Sequence, residues 1–333
     1  MKQPKVSVYI PVYGVEKYIE KCAQTLFEQT LDDLEYVFVD DCTPDNSFQI
    51  LEQVLEKYPN RKSQVKIVHH KINQGVCIAR KTGIQHCTGK YIACCEPDDW
   101  VETAMYEELY NKAKETGADM VDCDYFLETS RGTTQAIGHY EGSLVNLMSH
   151  WLNREYPTYI WSKLIKKEIY KAHNIYFPDK NDGSYSEDAV LICQLLSFIQ
   201  SYSFVKKPFY HYRILPNSIS HDVSNFRKRT MSLISKYTWI DHFIQQQYGK
   251  KYTQDILMRK LSFKLSWLLG GLNDEFYKYW PEANKVAILH KLPIPVSNKI
   301  ILWLAIHQYE WTFKSIIHIY KFFKIHINRF RVL

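Results

Sequence analysis

A chain of 333 residues with 46% hydrophobic and 23% charged residues can bury a sizeable core, in one large or two modest domains, and is neither disordered nor fibrous. Its formal net charge of +6 is concentrated at one end: from residue 299 to 333 six Lys/Arg (Lys299, Lys314, Lys321, Lys324, Arg329, Arg331) face one acid, Glu310. The remainder is nearly neutral, which argues against a nucleic-acid partner, since such a protein carries its charge across the binding face.

The first 125 residues alternate strand and helix patterns. Short β-branched or apolar runs at 6–11, 35–40, 65–69, 90–95 and 119–125 predict strands. Between them, apolar residues at helical spacing predict helices over 15–29, 47–58, 76–86 and 103–116. Strands alternating with helices of this length imply βαβ crossovers, hence an α/β fold around a mostly parallel sheet. From about residue 140 the rhythm changes. Residues 144–152, 162–173 and 188–200 read as helices, 203–213 as short β pieces, and the chain after Phe226 as helical to about 279. A Pro-spaced link, Leu292-Pro293-Ile294-Pro295, precedes the basic tail.

The eight cysteines all lie within the first 193 residues and form no CxxC pair. Cys94 and Cys95, adjacent on a strand, point to opposite faces, which suits neither a mutual disulfide nor a zinc site. With no signal peptide at Met1-Lys2-Gln3-Pro4, reduced thiols in a cytoplasmic protein are expected. No window reaches the roughly 18–20 uninterrupted apolar residues of a spanning helix. Residues 311–333 instead mix aromatic and aliphatic residues with lysine and arginine. That composition fits either a helix lying on an anionic membrane surface, such as the inner face of the cell membrane, or a terminal helix docked on its own domain.

Three segments should converge at the C-terminal edge of the sheet, where open α/β folds place their ligands. They are Pro11-Val12-Tyr13, the turn Asp40-Asp41-Cys42-Thr43-Pro44-Asp45, and Glu96-Pro97-Asp98-Asp99-Trp100. Carboxylates crowded at a strand end with no basic residue among them repel one another unless a cation intervenes. A hard divalent cation that bridges to substrate phosphates meets that need, and a solvated acidic turn would carry the same residues. Arg80, on the third predicted helix, is placed to reach the same crevice. An aromatic, an acid and an arginine around one pocket can stack on a base and hydrogen-bond its edge.

These segments, with Val6-Ser7-Val8-Tyr9-Ile10 and Gly75-Val76-Cys77-Ile78-Ala79-Arg80, resemble the family 2 glycosyltransferases over roughly residues 5–220. The resemblance implies a GT-A fold, Rossmann-like, and an inverting transfer. Its positions imply that Pro11 and Tyr13 line the nucleotide pocket, with Tyr13 on the base, and that Asp41 and Arg80 recognise the base. Glu96-Pro97-Asp98 falls where the family has its DxD motif, so Asp98 would bind Mg2+ or Mn2+ on the diphosphate, with Glu96 at the ribose or metal shell. Glu96 replaces the usual Asp, and Cys42 stands where Gly is usual. The pair Glu187-Asp188 opens a predicted helix, where acids are also ordinary dipole partners. In the family the equivalent aspartate is the catalytic base, so Asp188 would take the acceptor proton. His211 as a metal ligand and Arg213 as a phosphate contact follow from a further likeness at 209–220, and Trp161-Ser162-Lys163-Leu164 resembles a stretch on the acceptor side.

The expected activity is metal-dependent transfer from a nucleotide donor, a UDP-sugar, to a hydroxyl of a glycan or lipid-linked acceptor. The expected domains are residues 1–222, a helical region 223–292 and the tail 293–333. Two rivals stand beside it: a nucleotidyltransferase that makes the nucleotide-sugar, and an inactive membrane-docked binding module. Pro11-Val12-Tyr13-Gly14-Val15-Glu16 lacks the basic Gly-rich loop that the first would use for a triphosphate, and the carboxylates of Asp98 and Asp188 count against the second.

Overall fold

The computed structural model describes residues 3–178, 187–215 and 226–309, with residues 312 and 315. In chain order the elements are β1 (Val6–Val12), α1 (Ile19–Phe27), β2 (Leu34–Asp40), α2 (Ser47–Glu56), β3 (Val65–His69), α3 (Val76–His86), β4 (Tyr91–Cys94) and β5 (Trp100–Val101). There follow α4 (Met105–Thr116), β6 (Met120–Thr129), β7 (Gly132–Ala136), α5 (Leu144–Leu152), β8 (Lys163–Lys166), α6 (Lys167–Ala172), α7 (Glu187–Phe198) and β9 (Tyr202–Arg213). The helices α8 (Phe226–Tyr248), α9 (Thr253–Gly270), α10 (Asn273–Lys278), α11 (Val286–Lys291) and α12 (Val296–Ile306) complete the described chain. Two compact units result, residues 1–151 with 155–240, and residues 152–154 with 241–333.

The sheet of the first unit runs β3-β2-β1-β4-β8-β6-β9-β5, with β7 paired to β6. Its first four strands are parallel, as are β6 and β9, and β8 enters antiparallel between β4 and β6. The expected α/β fold with a mostly parallel central sheet and a helical C-terminal region is therefore present. Alternation along β1 builds the core: Val6, Val8, Ile10 and Val12 join Ile19, Cys22 and Leu26 of α1 and Leu51 and Val54 of α2. The other face of β1 lies under α3, brought close because Gly83 has no side chain; a Cβ there would stand 2.8 Å from that of Tyr9. Val12 pairs with Asp40 and Tyr9 with Cys94, so the segments after β1, β2 and β4 leave the sheet at one edge. Because the register with β4 stops at Tyr9, Pro11 has a strand neighbour on one side alone, where a residue lacking an N–H is tolerated.

One element departs from the sequence expectation. The helix predicted over 162–173 is the strand β8 followed by the short α6. Pairing with β4 and β6 sets the strand and puts Lys163 opposite Asp122 of β6; its ammonium is fully buried and lies 3.2 Å from the buried Asp122 carboxylate. Tyr202 donates to the same carboxylate at 3.1 Å, and Tyr156 also donates to it. Removing one partner of a buried ion pair strands the other charge in low dielectric, so Lys163→Ala is expected to cost about 3–5 kcal/mol in urea unfolding. A loss below about 1 kcal/mol would mean that the pair is not desolvated.

Seven of the cysteines are buried and Cys42 is exposed, all of them free thiols. In the second unit α9 buries Lys264, whose ammonium donates to the carbonyls of Tyr279 and Trp280 at 2.7 and 3.0 Å. Among the described residues no helix is long and apolar enough to cross a membrane. The amphipathic tail expected over 311–333 lies almost wholly outside the described residues.

Candidate functional site

The loops after β1 and β2 are laced together. The amide of Gly14 donates to Thr43 Oγ1 at 2.8 Å, that of Glu16 to Asp45 Oδ2 at 2.9 Å, and Asn46 Nδ2 to Glu16 Oε2 at 3.2 Å. Tyr13, between these laced loops, is 51% exposed, which suits an aromatic side chain to stacking on a flat ligand. Pro11 is buried within β1, on the face it shares with Tyr9, toward α3. Cys42 takes φ 58°, the left-handed region where a side chain is strained, which is the physical reason for a glycine at that turn.

Asp41 is buried, and its carboxylate is ringed by protein partners. His70 Nδ1 lies 2.7 Å from Oδ1, Asn73 donates to Oδ2 at 2.9 Å, and the amides of Gln74 and Gly75 each donate at 2.8 Å. Gly75 makes this possible by adopting φ 90° just before α3. Expected at the base, Asp41 in this structure ties the segment 70–75 to the end of β2; a base edge would have to exchange with one of these donors. His70 and Asn73 were not anticipated, although the polar run before Gly75 carries them.

The turn after β4 separates its carboxylates. Asp99 is buried and takes hydrogen bonds from the Tyr210 hydroxyl at 2.8 Å and the Arg213 amide at 2.7 Å. The Tyr210 hydroxyl also accepts the Glu96 amide at 3.0 Å, so it clamps both ends of the turn. Behind Tyr210 lies a stack of Trp161 and Tyr159, with centroid spacings of 4.2 and 3.9 Å. The segment 161–163 is thus buried support for the turn. Asp98 has its own backbone amide as donor, and burial together with the Glu96 charge lifts its carboxyl to about 6.

Arg80, expected at the base, has its guanidinium engaged by three carboxylates. It donates to Glu96 Oε1 at 2.7 Å, Asp188 Oδ1 at 2.7 Å and Glu187 Oε1 at 3.2 Å, joining α3, the end of β4 and the start of α7. Three acids on one buried cation leave an excess of negative charge. Side-chain exposure ranks them, with Arg80 at 7%, Glu187 at 14%, Glu96 at 18% and Asp188 at 24%, so Asp188 is the most open. Its carboxyl is pushed up to about 7, chiefly by burial, with Arg80 opposing and Glu187 and Glu96 adding. A partly exposed carboxyl raised toward neutral pH is suited to proton transfer.

Both ring nitrogens of His211 face carboxylates, Glu128 at 2.7 Å and Glu102 at 2.8 Å, and the ring is stacked between Trp100 and Phe126. It is therefore held between two carboxylates and two aromatic rings and presents no vacant nitrogen to a metal. Among the described residues no group of three or more His, Cys, Asp or Glu forms a metal cage.

Comparison with known proteins follows these landmarks. The profile described as Glycosyl transferase family 2 matches residues 7–172. The relative named "Putative glycosyltransferase EpsH", of Bacillus subtilis (strain 168), is 30% identical over 84% of this chain and 82% of its own length. That named "Uncharacterized glycosyltransferase EpsJ", of the same organism, is 27% identical over 89% of this chain and 78% of its own. The S. aureus TarS fragment 1–349, solved with UDP-GlcNAc, superposes with a TM-score of 0.69 at 18% identity, covering 95% of this chain and 91% of that one. The chain belongs to glycosyl transferase family 2 and is a glycosyltransferase with the GT-A fold.

Proposed function

We propose that this glycosyltransferase takes a sugar from a nucleotide donor, a UDP-sugar, and passes it with inversion to a hydroxyl of a glycan or lipid-linked acceptor. The observation that supports the reading is the Arg80 cluster, which gathers Glu96, Glu187 and Asp188 on one buried guanidinium and leaves Asp188 the most open of the three acids. Asp188 removes the acceptor proton as the hydroxyl attacks the anomeric carbon, and Glu187 and Arg80 hold it in place. Tyr13 stacks on the base over the floor formed by Pro11, and Asp41 exchanges a loop donor for the base edge. That a structural neighbour was solved with UDP-GlcNAc supports the donor class.

Asp98 fits a divalent cation shared with substrate: it is recessed, raised by burial and by Glu96, and free of any protein cation bonded to its carboxylate among the described residues. Glu96 is engaged by Arg80, so the remaining ligands would be diphosphate oxygens and water. Mg2+ or Mn2+ bound there would neutralise charge on the leaving diphosphate. Residues 1–222 would carry the donor site, with 223–292 and the tail 293–333 as accessory parts. The basic, aromatic composition of that tail supports peripheral contact with the cytoplasmic face of the membrane and an acceptor presented there, as in surface-polysaccharide assembly.

The test is UDP release from a panel of UDP-sugars with Mn2+, with Mg2+ and with chelator. One sugar should be turned over, and chelation should abolish its turnover; metal-independent release at the same rate would sink the metal assignment. The pH profile has a defined sign. A base works when deprotonated, so kcat should fall as pH drops through about 7, with unit slope below it. A profile flat from pH 5.5 to 8 would contradict Asp188 as the base.

A further inference from the structure

The helix α12 is apolar on both sides. Ile301, Leu302 and Ala305 are buried where it packs on α9 and α11. On its outer side Val296, Ile300, Trp303 and His307 follow one another at helical spacing and make one exposed stripe. Val296 is 71% exposed, and Ile300, Trp303 and Tyr309, just past the helix, stand open as well. The aromatic end is organised. The His307 and Tyr309 rings lie 4.1 and 5.9 Å from that of Trp303, and His307 Nδ1 donates to the Trp303 carbonyl at 2.8 Å. A helix that is hydrophobic all round is ordinarily covered on every side, and an open apolar stripe marks a surface that meets a partner.

The charge around the stripe selects that partner. From residue 283 to 333 the sequence has one acid, Glu310, while Lys285, Lys291 and Lys299 precede it and five Lys/Arg follow it. Lys299 lies on the helix beside the stripe, with its ammonium on the His290 carbonyl at 3.0 Å. A second copy of this face would set those bases against their own kind. The few large side chains of the stripe also fall well short of the roughly 800 Å2 per partner of a stable pairing. An anionic bilayer meets both the apolar and the basic character. Acyl chains take the aliphatic residues, indole and phenol rings sit at headgroup level, and lipid phosphates answer the bases.

We infer that the outer stripe of α12 is a docking face for an anionic lipid bilayer, with Val296, Ile300 and Trp303 entering the interface and the bases around them holding it there. Such docking rests on the peripheral membrane contact proposed above and gives that contact a folded, apolar surface in addition to the charge of the tail.

Cosedimentation of the full chain with phosphatidylcholine vesicles, with and without phosphatidylglycerol, tests the face, and thermal melts confirm folding. The unaltered protein should bind the anionic vesicles and leave the neutral ones. Ile300→Glu and Trp303→Glu, each placing an acid at an exposed position, should weaken that partition about tenfold or more with the tail intact. A variant with glutamine at the five bases beyond Glu310 separates the two contributions, and loss of binding in it and in both stripe variants is the expected result. If the glutamine variant loses binding while folded Ile300→Glu and Trp303→Glu keep it, the peripheral contact stands and the stripe is overturned. If the stripe variants alone lose binding, the stripe stands and the reading of the tail fails. An unaltered protein that binds both vesicles alike or neither, or that forms a dimer split by Ile300→Glu and ignores vesicles, would overturn the stripe as a face for anionic lipid.

Discussion

Asp188→Asn should lower sugar transfer by about 10²–10⁴-fold, the range supplied by a positioned general base, while UDP affinity stays within about twofold. Asparagine keeps the shape and can still accept from Arg80 Nη1, which lies 2.7 Å from Asp188 Oδ1. It cannot take a proton at neutral pH. The fold should not suffer, because one charge is removed from a site where three carboxylates share one guanidinium. Single-turnover transfer and UDP titration on the same preparation separate the cases. Near-normal turnover would remove Asp188 from the mechanism, and equal loss of turnover and UDP binding would make it a structural residue.

Asp98→Asn should reduce turnover by about 10²–10³-fold through loss of charge stabilisation at the leaving group, and should abolish its dependence on Mn2+. Its expected effect on stability has the opposite sign. The Asp98 carboxyl is raised because burial and Glu96 disfavour its charge, so the neutral amide should melt at the same temperature or higher in chelator. Mn2+ should raise the melting temperature of the unaltered protein and leave the variant unmoved, since a ligand stabilises only the state that binds it. A variant that still responds to Mn2+ would place the cation elsewhere.

The sheet edge was legible in the sequence because it is written locally. Apolar runs end in polar turns at Tyr13, Asp41 and Glu96, and parallel pairing brings those ends together. The strand β8 was not, because Leu164, Ile165 and Ile169 also satisfy a helical spacing; what selects the strand is pairing with β4 and β6. Roles set by distant partners were equally hidden. Arg80 meets Glu187 and Asp188 across more than a hundred residues, and the residue types suggested a base-binding arginine as readily as a carboxylate hub. Asp41 was singled out as an acid at a strand end, yet its neighbours His70 and Asn73 emerge only once β3 lies beside β2. The partners of His211, expected as a metal ligand, were hidden for the same reason, since Glu102 and Glu128, the carboxylates at its two ring nitrogens, come from separate segments. Motif spacing thus predicts which segments meet at the sheet edge, and the long-range contacts among their side chains appear only in the fold.

One base and one displacement make a stereochemical claim, which the anomer of the first product reads directly. Proton NMR of donor hydrolysis, recorded faster than the free sugar mutarotates, identifies that anomer with water standing in for the acceptor. The account predicts that an α-linked UDP-sugar releases the β sugar first, and that Asp188→Asn suppresses its formation. Initial release of the α sugar, at a rate that Asp188→Asn leaves unchanged, would contradict inversion by a single displacement with Asp188 as its base.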